Sequence, residues 1–118
     1  MAKVLVIDDD ADIGTMVKMI LEFNGYRVWL EDGANKVYQI LQNNQMDLII
    51  MDMLLSGANG TDLCAWFKAD STTAHIPIMM MSAHTDAMEV CLAAGANDFL
   101  AKPFDIKDLL KKCQVLLH

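Results

Sequence analysis

Residues 3–10 read Lys-Val-Leu-Val-Ile-Asp-Asp-Asp. The apolar run Lys3–Ile7 predicts a buried strand, and three carboxylates follow it without a break. Like charges repel, and a carboxylate at the mouth of a core loses solvation. A small protein that places Asp8, Asp9 and Asp10 there needs something to offset their charge.

Outward from this stretch the pattern repeats. Ile13, Met16, Val17, Ile20 and Leu21 recur at helical spacing, and Asn24-Gly25 stops that helix. Tyr26–Leu30 predicts a second strand. Val37, Ile40 and Leu41 mark a second helix ending near Asn43-Asn44. Asp47–Met51 predicts a third strand and again runs into an aspartate, Asp52. After a loop over Ser56–Gly60, Leu63, Trp66 and Phe67 mark a third helix, with Trp66 and Phe67 expected in the core. Ile76–Met81 is a fourth strand. A helix runs from about Thr85 to Ala94, where Gly95 stops it, and Asn97–Leu100 is a short fifth strand. Asp105 caps a last helix with Ile106, Leu109, Leu110, Cys113 and Leu117 inward.

Apolar strands alternating with amphipathic helices imply an α/β fold, a doubly wound parallel sheet covered on both faces. Functional groups in such sheets gather beyond the carboxyl ends of the strands. That rim collects Asp8 and Asp9, Asp52, Ser82 with Ala83, and Lys102 with Pro103. Three neighbouring carboxylates call for a cation. An all-oxygen set suits Mg²⁺, with Mn²⁺ as an alternative. A carboxylate is also a competent nucleophile towards phosphorus, and an ammonium and a hydroxyl can neutralise the oxygens of a phosphoryl group in transfer. Taken singly, each residue has a plainer reading. Asp10 or Asp12 can cap a helix, Ser82 can serve a turn, and Lys102 can be a solvated lysine.

The chain of 118 residues fits one domain spanning residues 1–118. It is 54 % hydrophobic and 21 % charged, which marks a globular chain. A net charge of −7 argues against direct binding to nucleic acid or anionic membrane. The apolar runs are too short to span a bilayer, and no signal-like segment is visible, so a cytoplasmic protein is expected. Cys64, Cys91 and Cys113 are widely spaced and read as buried thiols. His75, His84 and His118 lack metal-site spacing, and Met79, Met80 and Met81 read as core filler.

In register, the acidic pair after VLVI, DLIIMDMLL, the glycine eight residues after Asp52, PIMMMSA and AKPF resemble one family. It is the receiver domain of two-component response regulators, typified by the single-domain chemotaxis regulator. The resemblance implies a flavodoxin-like three-layer sandwich of five strands, order 2-1-3-4-5, with five helices. It implies that Asp52 accepts a phosphoryl group from the phosphohistidine of a sensor kinase or phosphotransfer protein. Asp9 would ligate Mg²⁺ directly, Asp8 through water, with Asp52 and the Leu54 carbonyl completing the protein ligands. Ser82 would reach for the phosphoryl oxygen, Lys102 would pair with it, and Phe99 would follow Ser82 inward. The surface of the fourth helix, fifth strand and fifth helix would then repack. The Lys102–Pro103 bond would be cis. Such a domain is a switch rather than an enzyme, and its partners would be a kinase, an effector or attached output domain, and a second copy on phosphorylation. Two departures stand out: Ser56 where many relatives have proline, and Phe99 in place of tyrosine. Leu54 and Ala83, beside the site, are placed to tune the phosphoryl lifetime. The rival readings are a receiver-like module that works without phosphorylation, and a haloacid-dehalogenase-type phosphatase built on Asp8-x-Asp10.

Overall fold

The computed structural model describes residues 1–55, 58–84 and 86–117. Five parallel strands form one sheet: β1 (Lys3–Ile7), β2 (Arg27–Glu31), β3 (Leu48–Asp52), β4 (Ile78–Ser82) and β5 (Asp98–Ala101). Their spatial order is β2-β1-β3-β4-β5. The helices are α1 (Ala11–Phe23), α2 (Val37–Asn43), α3 (Gly60–Ala69), α4 (Ala87–Ala93) and α5 (Ile106–Leu117). A two-residue antiparallel pair, Leu54–Leu55 with Ala58–Asn59, precedes α3.

The strand period of two sorts the core into two layers. Leu5, Ile7, Ile49, Met51, Ile78, Met80 and Phe99 point to the side of α2, α3 and α4, where they meet Val37, Cys64, Phe67, Ala87 and Cys91. Val4, Val6, Leu48, Ile50, Met79, Met81 and Leu100 point the other way, onto Val17 and Leu21 of α1 and Leu109 and Cys113 of α5. Each such side chain, fully buried, contributes about 1.5–3 kcal/mol of transfer free energy. The methionine triplet is thereby divided between the two layers. All three cysteines are free and buried.

β1 keeps its expected span, whereas the other four strands shift towards the carboxyl side of theirs. Pro77 has no N–H, and β4 begins after it. Asp52 pairs with Met81 and Ser82 with Ala101. These two polar residues therefore close their strands instead of following them. Gly25 and Gly95 end α1 and α4 with φ of +92° and +107°, the left-handed region glycine enters freely.

Three side chains expected inside lie outside. Trp66 is 45 % exposed while Phe67 is fully buried, because neighbours on a helix point about 100° apart. The Trp66 ring packs at the surface, 5.5 Å from Tyr38 and 5.4 Å from Phe67. Met16 and Ile106 are also exposed, flanking a surface hollow with Phe104. In each case the buried stripe of the helix is one residue narrower than the apolar spacing predicts. The readings that rest on Ser56, Gly57, Thr85 and His118 lie outside the described residues.

Candidate functional site

The three consecutive aspartates divide their work. Asp8 extends the β1–β2 ladder by donating its N–H to the Glu31 carbonyl at 3.0 Å. The residue is 1 % exposed, and Oδ1 accepts the N–H of Asp10 at 2.9 Å. Asp10 caps α1, its Oδ1 accepting from Asp12 N at 3.0 Å and Ile13 N at 3.2 Å. Asp9, between them, is exposed on the rim.

Carboxylate oxygens of Asp8, Asp9 and Asp52 lie within 4.8 Å of one another. Lys102 enters this group from the end of β5. Its Nζ is 3.0 Å from Asp8 Oδ2 and 3.1 Å from Asp52 Oδ1. Its backbone is tied to the rim too, the Lys102 N–H donating to the Ser82 carbonyl at 2.9 Å. The Lys102–Pro103 peptide bond is cis.

Three carboxylates against one ammonium leave a surplus of negative charge in a half-buried cup. Burial raises the Asp52 carboxyl above its ordinary value. Lys102 pulls it down by charge and hydrogen bond, Asp8 and Asp9 push it up, and the balance stays upward. Burial alone would lower the Lys102 ammonium. Its hydrogen bond to Asp8 and the charges of Asp52 and Asp8 outweigh that, and its pKa is raised.

The donor set fits a small hard divalent cation. An octahedral Mg²⁺ with oxygens at about 2.1 Å needs ligand oxygens about 3–4 Å apart, a spacing three carboxylates within 4.8 Å reach by small rotations. Nitrogen and sulfur ligands are absent from the group.

Ser82, 3 % exposed, ends β4 on the same rim. Its Oγ accepts the N–H of His84 at 3.1 Å, a contact that leaves the hydroxyl proton available. Ala83 beside it is exposed. Leu54 lies in the short antiparallel pair opposite Asn59 with its side chain exposed. Phe99 is not at the rim. It sits within β5 opposite Met80, 8 % exposed, and borders a surface hollow shared with Met88, Pro103 and Phe104.

Two features escaped sequence reasoning. The first is the Lys102–Asp8 bridge, which joins residues 94 positions apart and leaves no local signal. The second is why residue 60 is glycine. Its N–H donates to the Met53 carbonyl at 2.7 Å, and a Cβ there would meet the Asp52 carbonyl, as well as the Met53 carbonyl at 2.8 Å and Met53 Cα at 3.0 Å. A side chain at residue 60 would thus push directly on the backbone that aims Asp52.

The model of the response regulator receiver domain matches residues 4–114. The DNA-binding response regulator MtrA of Mycobacterium tuberculosis is 32 % identical over 98 % of this chain and 50 % of its own length. The chain thus spans about half the length of the curated relatives it matches. Chemotaxis response regulator CheY4 of Vibrio cholerae superposes with a TM-score of 0.91 at 31 % identity, covering 99 % of both chains. The receiver domain of sensor histidine kinase PA1611 from Pseudomonas aeruginosa was solved with magnesium coordinated in its active-site cleft. It superposes with a TM-score of 0.89 at 28 % identity, covering 98 % of this chain and 97 % of its own. The expectation of no nucleic-acid partner is not supported, since MtrA is named for DNA binding. The net charge argues only about the 118 residues it was counted on. No helix among the described residues is long and apolar enough to cross a membrane. With the family model covering residues 4–114 and the fold superposing over nearly its whole length, the chain belongs to the response regulator receiver domain family.

Proposed function

We propose that this chain, as one domain over residues 1–118, is a cytoplasmic phosphoryl-accepting switch with Asp52 as the acceptor. The observation that carries the reading is the Lys102 ammonium set between Asp8 and Asp52 in a cup of three converging carboxylates. An Asp52 oxygen attacks the phosphorus of a phosphohistidine on a sensor kinase or phosphotransfer protein. The P–N bond breaks, its electron pair stays on the imidazole, and Asp52 becomes an acyl phosphate. Asp8, Asp9, Asp52 and the Leu54 carbonyl would hold Mg²⁺ (or Mn²⁺), which supplies charge neutralisation at the phosphoryl oxygens.

Lys102 is already 3.1 Å from the acceptor carboxylate, so it meets the developing charge without moving far. The acyl phosphate adds negative charge where one carboxylate stood, which strengthens the pull on Lys102. It also offers an acceptor to the Ser82 hydroxyl proton. As Ser82 turns towards it, the contact of Ser82 Oγ with His84 is strained or lost, and the start of α4 is released. Phe99 is already buried next to Met80, so the response asked of it is repacking against α4, not a swing from solvent. The surface of α4, β5 and α5 then shifts population between two packings, for an effector or an attached output domain to read. Asp10 is spent on capping α1, and this weighs against the phosphatase reading built on Asp8-x-Asp10.

The test is intact-protein mass after incubation with acetyl phosphate. We expect the gain of one phosphoryl group with Mg²⁺ present, and no gain in Asp52→Asn or with the metal chelated. Uptake that survives Asp52→Asn would move the acceptor elsewhere. Uptake absent under all conditions would leave a domain that signals by contact alone.

A further inference from the structure

The strand β2 forms one edge of the sheet, and its sheet neighbour among the described residues is β1 alone. In a parallel ladder, alternate residues turn both backbone groups towards the same neighbour. Arg27 donates to the Ala2 carbonyl at 2.9 Å, and the Glu31 carbonyl accepts from Asp8 N at 3.0 Å. Arg27, Trp29 and Glu31 therefore face β1, while Val28 and Leu30 turn N–H and C=O outward. Among the described residues, neither outward pair has a hydrogen-bond partner beyond the sheet. Arg27 is exposed, and Val28, Trp29, Leu30 and Glu31 are partly exposed. One hollow of about 480 Å³ reaches Arg27, Val28 and Trp29, and another of about 340 Å³ reaches Leu30 and Glu31.

Natural edge strands are protected by like charges, proline or bulges. This one reads Arg-Val-Trp-Leu-Glu, which is complementary to itself when reversed. Turned antiparallel about Trp29, each Arg27 meets a Glu31 and each Val28 meets a Leu30. The register is also the one the backbone requires. Val28 and Leu30, with their outward groups, become the hydrogen-bonded pairs and supply four bonds. Arg27–Glu31 and Trp29–Trp29 fall at the closer positions, about 4.5 Å between Cα atoms. Arg27 already lies over the Trp29 ring, 5.0 Å from its centroid. The opposite edge is a built-in contrast. β5 reads Asp-Phe-Leu-Ala, and reversal gives its acid no basic partner.

We infer that β2 is a self-association edge, pairing antiparallel with β2 of a second copy across a two-fold axis at Trp29 to form a continuous ten-stranded sheet. The contact is isologous, so each ion pair occurs twice. It uses neither Asp52 nor the face of α4, β5 and α5, and so does not rest on the phosphoryl-transfer reading.

Sedimentation equilibrium of the unphosphorylated chain up to about 1 mM tests it, since weak pairings dissociate in that range. The set is the parent, Arg27→Glu, Glu31→Arg and the double reversal, each checked for folding by circular dichroism. The parent is expected to show a monomer–dimer equilibrium. Either single reversal sets like charges opposite each other twice and should weaken dimerisation by about tenfold or more. The double reversal restores opposite charges and should return to within about threefold of the parent. A parent that stays monomeric overturns the proposal. So do single reversals that dimerise like the parent, and a double reversal that fails to recover.

Discussion

Two lysines make aspartate contacts of nearly the same length at opposite ends of β5. Lys102 lies 3.0 Å from Asp8 and 3.1 Å from Asp52, and Lys112 lies 3.1 Å from Asp98. Their surroundings differ. Side-chain exposures at the rim are 13 %, 0 % and 14 % for Lys102, Asp8 and Asp52. At the α5 contact they are 34 % and 32 % for Lys112 and Asp98. The rim group carries more acid than base, whereas the α5 pair is balanced and about a third exposed. Distance alone therefore says little. Burial and charge surplus turn one contact into a site and leave the other a surface brace.

The sharpest way to break this contrast is to remove the rim cation while keeping its volume. Lys102→Met leaves Asp8 Oδ2 with no donor among the described residues, beside a second half-buried carboxylate. Stripping one partner from a buried ion pair costs about 3–5 kcal/mol, and solvent near Asp52 places the expectation at the low end, about 3 kcal/mol. Urea unfolding at neutral pH in a chelating buffer reads it. A loss below about 1 kcal/mol would mean that the cup is wet enough to need no counter-ion.

The opposite manipulation removes the surplus. Asp52→Asn takes away the carboxylate that burial and two acidic neighbours disfavour. Such relief at strained functional sites is typically worth about 0.5–2 kcal/mol, and we expect about 1 kcal/mol of gain at pH 7 without metal. The sign with pH follows from the raised value. A carboxyl with its folded-state pKa above the unfolded one favours folding most in acid, where it is protonated in both states. That contribution is lost as pH rises through the folded value. The Asn variant should therefore match the parent in acid and pull ahead as pH rises towards neutral, read as unfolding midpoints across the series. An advantage that grew towards acid would reverse the assignment of burial as the leading cause.

The contrast also separates what a sequence carries from what it does not. Apolar strands such as Leu48–Met51 and Ile78–Met81 announce themselves because both faces are buried. The rim residues follow, since strand ends in such sheets converge. Asp8, Asp9 and Asp52 fall together through topology alone. Less visible is anything set by a half-turn of helix or by long-range pairing. Trp66 and Phe67 are adjacent, aromatic and alike in composition, yet only Phe67 is buried. The bridge from Lys102 to Asp8 is also silent, because a lysine after a strand does not say which of three acids it will meet. Gly60 is legible as part of the pattern, but the reason for it is not: the Asp52 and Met53 backbone passes where its Cβ would be.

The smallest effect is expected at the balanced pair, and it sharpens the comparison most cheaply. Lys112→Met removes one donor from Asp98, but Asp98 Oδ1 also accepts the Phe99 N–H at 2.7 Å and keeps a partner. Exposure of both groups lets water replace the lost ammonium. The loss should be about 0.5 kcal/mol or less at low ionic strength. It should vanish near 1 M salt, where the Debye length of about 3 Å is shorter than the span of the pair and its shell. The Lys102 effect should survive the same salt, because counter-ions do not enter a side chain with no exposed surface such as Asp8. Urea unfolding of both variants at low and high salt decides it. If salt erased both losses alike, the rim would be as solvated as the α5 pair, and the distinction drawn between them would fall.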